Sequence, residues 1–167
     1  MTLCNPELSM TVLMTPEMAN FSGNVHGGAL LKLMDEVAYA CASRYAGSYV
    51  VTMTVDQVVF RTPVHVGELV TFLASVNYTG RTSMEVGIKV ITENIQQRSV
   101  RHSNSSFFTM IALDEDRQPR EVPALELDNS ERKRRFYQAQ QRRDIREELK
   151  LRYQAIHESV TTDTDQA

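Results

Sequence analysis

The sequence is short of the residues that disulfide-stapled and zinc-stabilised domains depend on. Its 167 residues contain two cysteines, Cys4 near the terminus and Cys41 inside an apolar run, which is neither a disulfide framework nor a zinc pattern, so both read as free thiols. Four histidines, His26, His65, His102 and His157, are scattered at no ligand spacing, and no metal site is expected. No apolar run is long enough to span a bilayer, and no basic, apolar, small-residue leader is readable at the start. The expected address is cytoplasmic, with no membrane partner. Internal repeats and low-complexity tracts are missing too. Ser22, Ser43 and Cys41 lie outside any nucleophile-elbow context, which argues against a serine or cysteine nucleophile.

Proline is absent from Gly28 to Ala46, and this absence marks the centre of the chain. The stretch reads as one long helix stopped at Gly47 by a left-handed cap. Leu30, Leu31, Leu33, Met34, Val37, Ala38, Tyr39, Ala40, Cys41 and Ala42 leave it no continuous polar face. A helix of that kind is normally buried. The six largest apolar side chains of its first half would contribute roughly 9–18 kcal/mol on burial, at about 1.5–3 kcal/mol each, before entropy is subtracted.

Strand-like patterns surround it. Residues 6–14 form a short first strand closed by Thr15-Pro16, and a loop of turn and cap residues (Asn20, Ser22, Gly23, Asn24) leads into the helix. After Gly47, Tyr49–Phe60 is rich in valine and threonine and ends before Pro63. Val70 to Tyr78 and Met84 to Val90 alternate apolar with polar residues about a Gly80-Arg81 hairpin signal, and Val100–Leu113 supplies a last strand. Three hairpin-joined strands after one apolar helix give an α+β layer, an antiparallel sheet curved around the helix. Residues 1–125 are expected to form the main domain. Residues 126–167 make a linker and a charged C-terminal helix, with Val160 to Ala167 frayed. In that helix nine Lys/Arg between 131 and 152 face four acids, a net +5 against −8 for the rest of the chain. Tyr137, Gln141, Ile145, Leu149, Tyr153 and Ile156 form a thin stripe along it. Interleaved acids and the lack of a base-stacking module argue for a solvated or docking helix and against nucleic acid as a partner.

Two elements could carry chemistry. His26, Gly27 and Gly28 sit where the helix begins, where unpaired first-turn amides and the positive end of the dipole suit a carbonyl oxygen or oxyanion. The same glycines would equally permit close helix–sheet packing. Asp35 is a carboxylate inside the apolar helix, costly if buried alone, and it calls for a salt bridge to Lys32 or for a use. Gly28 and Asp35 are seven residues apart and so about 10 Å apart along the axis. Acting on one carbon, they would have to come from antiparallel helices of two subunits, which requires at least a dimer.

Asn20-Phe-Ser-Gly-Asn-Val-His-Gly-Gly28, then Leu33-Met-Asp-Glu-Val-Ala38, a Val/Thr strand, Gly80-Arg-Thr-Ser-Met-Glu-Val86 and Asn104-Ser-Ser-Phe-Phe-Thr-Met110 closely resemble the hotdog-fold acyl-CoA thioesterases of the cytosolic acyl-CoA hydrolase type. The likeness runs from about Asn20 to Leu125. It implies the hotdog fold, hydrolysis of fatty acyl-CoA without a resident cofactor, and subunits assembled as a trimer of dimers. It implies further that Asn24 and Asp35 of opposing subunits form the catalytic pair, beside the His26-Gly27-Gly28 amides, and that Arg81, Thr82 and Ser83 approach coenzyme A. Hydratases of the same fold fit less well because their histidine motifs are absent. A non-catalytic acyl-CoA sensor is the competing class, and it would need neither Asn24 nor Asp35.

Overall fold

The computed structural model describes residues 5–164, with side chains described as far as residue 158; Cys4, read as a free thiol, lies outside them. Residues up to Glu126 form one compact unit and residues from Leu127 a second.

In the first unit, β1 (Glu7–Leu13) and a single 3-10 turn (Pro16–Met18) lead to helix α1 (Gly27–Ala46), followed by β2 (Tyr49–Val55), β3 (Leu69–Thr79), β4 (Ser83–Asn94) and β5 (Ser99–Leu113). All pairings are antiparallel, in the spatial order β1-β3-β4-β5-β2. The hairpin meander is its centre, and the two strands flanking α1 in sequence are its edges. α1 lies against the sheet in contact with every strand. Leu30, Met34, Val37, Ala38, Cys41, Ala42 and Tyr45 pack onto Val70, Phe72, Ala74 and Val76 of β3, Met84, Val86, Ile88 and Val90 of β4, and Phe108, Met110 and Ala112 of β5. Gly47 ends the helix in the left-handed conformation, φ +64°, with its N–H on the Ser43 carbonyl.

Two expectations need correction. β2 stops at Val55 rather than Phe60: its pairing with β5 slips between Thr52 and Thr54, and only the Asp56 amide, 2.9 Å from the Phe107 carbonyl, extends it. A bulge on an edge strand twists it away from its single neighbour, so the Val/Thr composition outlasts the ladder. The helix, moreover, is covered on one side only. Leu31 and Tyr39 are 37% and 41% exposed, and with half-buried Asp35 between them they form a stripe that the sheet leaves partly open.

After β5 the chain returns along the sheet. The Val122 amide bonds the Arg81 carbonyl, Leu125 N–H bonds Thr79 Oγ1, and the Tyr45 hydroxyl donates to the Pro123 and Ala124 carbonyls. In the second unit, α2 (Ser130–Thr164) is capped by Asn129, whose Oδ1 accepts from the Arg132 amide at 2.8 Å. Ion pairs between residues one turn apart, Arg135–Glu131 and Arg152–Glu148 among them, line it. Its backbone is helical to Thr164, past the point where fraying was expected, and residues 165–167 lie outside the description. Ile145, Leu149, Tyr153 and Ile156 are exposed.

Candidate active site

The approach to α1 is a closed turn on a braced ledge. Asn20 Oδ1 accepts the amides of Ser22 (2.9 Å) and Asn24 (3.2 Å), while the Asn20 amide donates to the Asn24 carbonyl at 2.6 Å. Gly23, at φ +79°, makes the reversal possible. Phe21 stands fully exposed at the tip. The turn meets residues 63–68 through the Val25 amide on the Val64 carbonyl (2.8 Å) and through Asn24 Oδ1 on His65 Nδ1 (2.8 Å). Below them lies an ion pair that the sequence had not suggested. Glu68, 2% exposed, takes two 2.8 Å bonds from Arg101 of β5 and one from the His65 amide, and Arg101 also holds the Pro63 carbonyl. Burial alone would raise the Glu68 pKa; the hydrogen bonds from Arg101 and the His65 amide, with the Arg101 charge, outweigh it and hold the carboxyl below its usual value.

His26 caps α1, its Nδ1 accepting the Gly28 amide at 2.9 Å. The Gly28 donor is therefore engaged, and a side chain at Gly27 would meet the Phe60 ring at 3.4 Å. The Gly27 amide has no partner among the described residues, which leaves it as the donor at this helix end.

About two turns along the helix, Asp35 is half-buried, and Thr52 of β2 donates to its Oδ1 at 2.6 Å. Lys32 pairs with Glu36 at 3.7 Å instead, on the exposed side. Asp35, Glu36, Tyr39 and residues 49–52 line an open groove of about 380 Å³, with the Tyr39 and Tyr49 rings edge to face at 6.0 Å at its far end. Within one chain no hydrogen bond joins Asp35 to Asn24 or Gly28. Arg81, exposed, and Thr82 form the β3–β4 turn, where the Gly80 amide bonds the Ser83 carbonyl. Burial pushes the Cys41 thiol up to about 12, an inert group against the Pro6 carbonyl. No cluster of three or more His, Cys, Asp or Glu able to hold a metal occurs among the described residues, and no helix among them is long and apolar enough to cross a membrane.

Comparison with known proteins places this arrangement. The model of the thioesterase superfamily matches residues 22–99. A hexameric acyl-CoA thioesterase solved without ligand superposes with a TM-score of 0.82 at 35% identity, over 86% of this chain and 92% of that one. The chain belongs to the thioesterase superfamily. It has the hotdog fold of its acyl-CoA thioester hydrolases. Protein VdlD of Helicobacter pylori is 46% identical over 140 residues, covering 84% of this chain and 80% of that protein. The acyl-CoA hydrolase of Staphylococcus aureus, solved with butyryl coenzyme A and coenzyme A, matches at TM-score 0.83 and 26% identity over 93% of this chain and 95% of that one. The same hydrolase has been solved as alanine variants at an asparagine, at an aspartate 15 residues later, and at a threonine 17 residues beyond that.

Asp35 stood out in the sequence of this thioesterase because a lone acid interrupts an apolar helix. Thr52 did not, since one threonine among several in an edge strand carries no local signal. His65, Glu68 and Arg101 were equally silent: the ion pair joins residues 33 apart, and nothing periodic announces it.

Proposed function

We propose that this thioesterase hydrolyses fatty acyl-CoA to free acid and coenzyme A at a site shared between two subunits. Asp35 of one subunit acts with an asparagine from the turn ahead of α1 in the other. The observation that carries the reading is the Asp35–Thr52 hydrogen bond at the mouth of the groove. It holds a half-buried carboxylate in one orientation and leaves its other oxygen free.

The resemblance in sequence implies Asn24 as the asparagine. The spacing of the Staphylococcus aureus variants supports Asn20, which lies 15 residues before Asp35, as Thr52 lies 17 after it. The Ser22 and Asn24 amides are already on the Asn20 carboxamide oxygen, so its NH2 is the group left to bind substrate. Asp35 takes a proton from water as the oxygen adds to the thioester carbon. The asparagine NH2 and the Gly27 amide receive the charge that develops on the carbonyl oxygen, and the thiolate of coenzyme A leaves with the proton held by Asp35. Coenzyme A is thus a product and no resident cofactor takes part. The acyl chain lies in the groove toward Tyr39 and Tyr49, and Arg81 with Thr82 and Ser83 meets the phosphates. Leu31, Asp35 and Tyr39 form the stripe against which an antiparallel partner helix packs, and the hexameric neighbour supports a trimer of such dimers.

Thiol release from a panel running from acetyl-CoA to palmitoyl-CoA tests the reading. Turnover with at least part of the panel is expected. Tight binding without release would leave a sensor in its place.

A further inference from the structure

We infer that His65 is a positioning residue for the hydrolysis, clamping the asparagine turn to the body of the domain; the inference rests on the reading of Asn20 as a donor to the thioester carbonyl. The turn has little to hold it from outside. Its tip carries an exposed Phe21 and a Gly23 of positive φ, and its internal bonds close it on itself without fixing it to anything else.

At its base the turn is closed by the Ala19–Val25 bridge and by the His26 amide on the Met18 carbonyl, and it is tied to residues 63–68 by the backbone bridge of Asn24 with His65, which includes the Val25 amide on the Val64 carbonyl, and by the His65 ring on Asn24 Oδ1, the last two each 2.8 Å. A carboxamide oxygen only accepts, so with Oδ1 facing the ring the proton is on Nδ1. His65 in turn is set by its own amide on Glu68 Oε2, and Glu68 by the two bonds from Arg101. The chain of contacts therefore runs Arg101, Glu68, His65, Asn24, Asn20, from the first residues of β5 through buried Glu68 to the proposed donor. The last link is double: the Asn24 amide donates to Asn20 Oδ1 while the Asn20 amide donates to the Asn24 carbonyl. Releasing the Asn24 side chain from His65 leaves only the backbone bridge to residues 63–68, and loosens the part of the turn that carries Asn20. A donor acting on an oxyanion depends on sub-ångström placement, whereas binding of coenzyme A elsewhere does not.

The test is thiol release from butyryl-CoA by wild type, His65→Ala, Asn20→Ala and the double variant. In His65→Ala, kcat should fall about tenfold or more with KM within about twofold, the signature of an interaction made in the transition state. With Asn20 already alanine, the same change should cost nothing further. His65→Gln, whose amide can donate to Asn24, should recover most of the loss. Losses that multiply in the double variant, or a wild-type kcat in His65→Ala, overturn the inference. Long-range proton–nitrogen NMR of the wild-type imidazoles judges it even if the alanine variant does not fold. A nitrogen shift showing His65 Nδ1 in a hydrogen bond, as donor or as acceptor, supports the clamp, and the shift of a bare, unbonded Nδ1 overturns it. A wild type that binds butyryl-CoA yet releases no thiol removes the hydrolase reading, while the NMR result still decides the clamp.

Discussion

The two halves of the candidate site are built differently. The asparagine turn is complete within one chain: every link from Arg101 through Glu68, His65 and Asn24 to Asn20 is a hydrogen bond of 2.6–3.2 Å. The Asp35 half is unfinished. Its carboxylate has the Thr52 hydroxyl and an open groove, flanked on the same helical stripe by half-exposed Leu31 and Tyr39. One half is braced by its own domain and the other opens outward, a contrast that the proposed sharing of the site between two subunits would explain.

Substitutions at the two halves should therefore fail in different ways. The largest effect falls on Asp35→Asn: kcat should drop by about 10²-fold or more, on the scale of a positioned general base, while the midpoint of urea unfolding barely moves, because a half-buried group with one partner contributes little to stability. Arg101→Ala should fail mainly in stability, with a smaller loss of kcat passed along the chain of contacts to Asn20. It strands a Glu68 carboxylate that is 2% exposed, and urea unfolding should show a loss of about 3 kcal/mol.

A smaller effect separates the same regions by pH. The folded-state pKa of Glu68 is depressed, so its pair contributes stability above the unfolded carboxylate value and loses it as pH falls through the lowered one. The stability gap between wild type and Glu68→Gln should hold at neutral pH and close in that acid window; a gap constant to the lowest pH would contradict the ion pair. Thr52→Val should cost about tenfold in kcat, the worth of one hydrogen bond to a charged group, with unfolding unchanged. The smallest expectation is a null: in a Cys4→Ser background, Cys41 should stay unreactive toward a disulfide reagent until the protein unfolds, since its thiol is buried and raised to about 12.

How far the sequence carried this picture follows from the range of the interactions. The long helix and the hairpin meander were legible because periodicity and missing prolines act within ten or twenty residues. Asp35 was legible for the same reason, an acid out of pattern on an apolar helix, although Lys32 turned out to pair with Glu36. The early end of β2 was not, because it depends on a register slip against β5 rather than on composition. Nor was the one-sided burial of α1: apolar residues all round predict cover all round, and a single sheet supplies half of it. The ledge of His65, Glu68 and Arg101 is a tertiary construction from one loop and a strand, with no local mark on any member.

The most direct test of the shared site is subunit complementation. Asn20→Ala and Asp35→Asn chains, each strongly impaired alone, would be unfolded together, refolded as mixed oligomers and assayed for thiol release. In a two-fold dimer whose sites each take one residue from either chain, a mixed dimer places both substitutions in one site and leaves the other intact, so random mixing should restore about a quarter of wild-type activity. If both residues of a site come from the same chain, every site carries a defect, and mixed oligomers that stay as impaired as their parents would contradict the account.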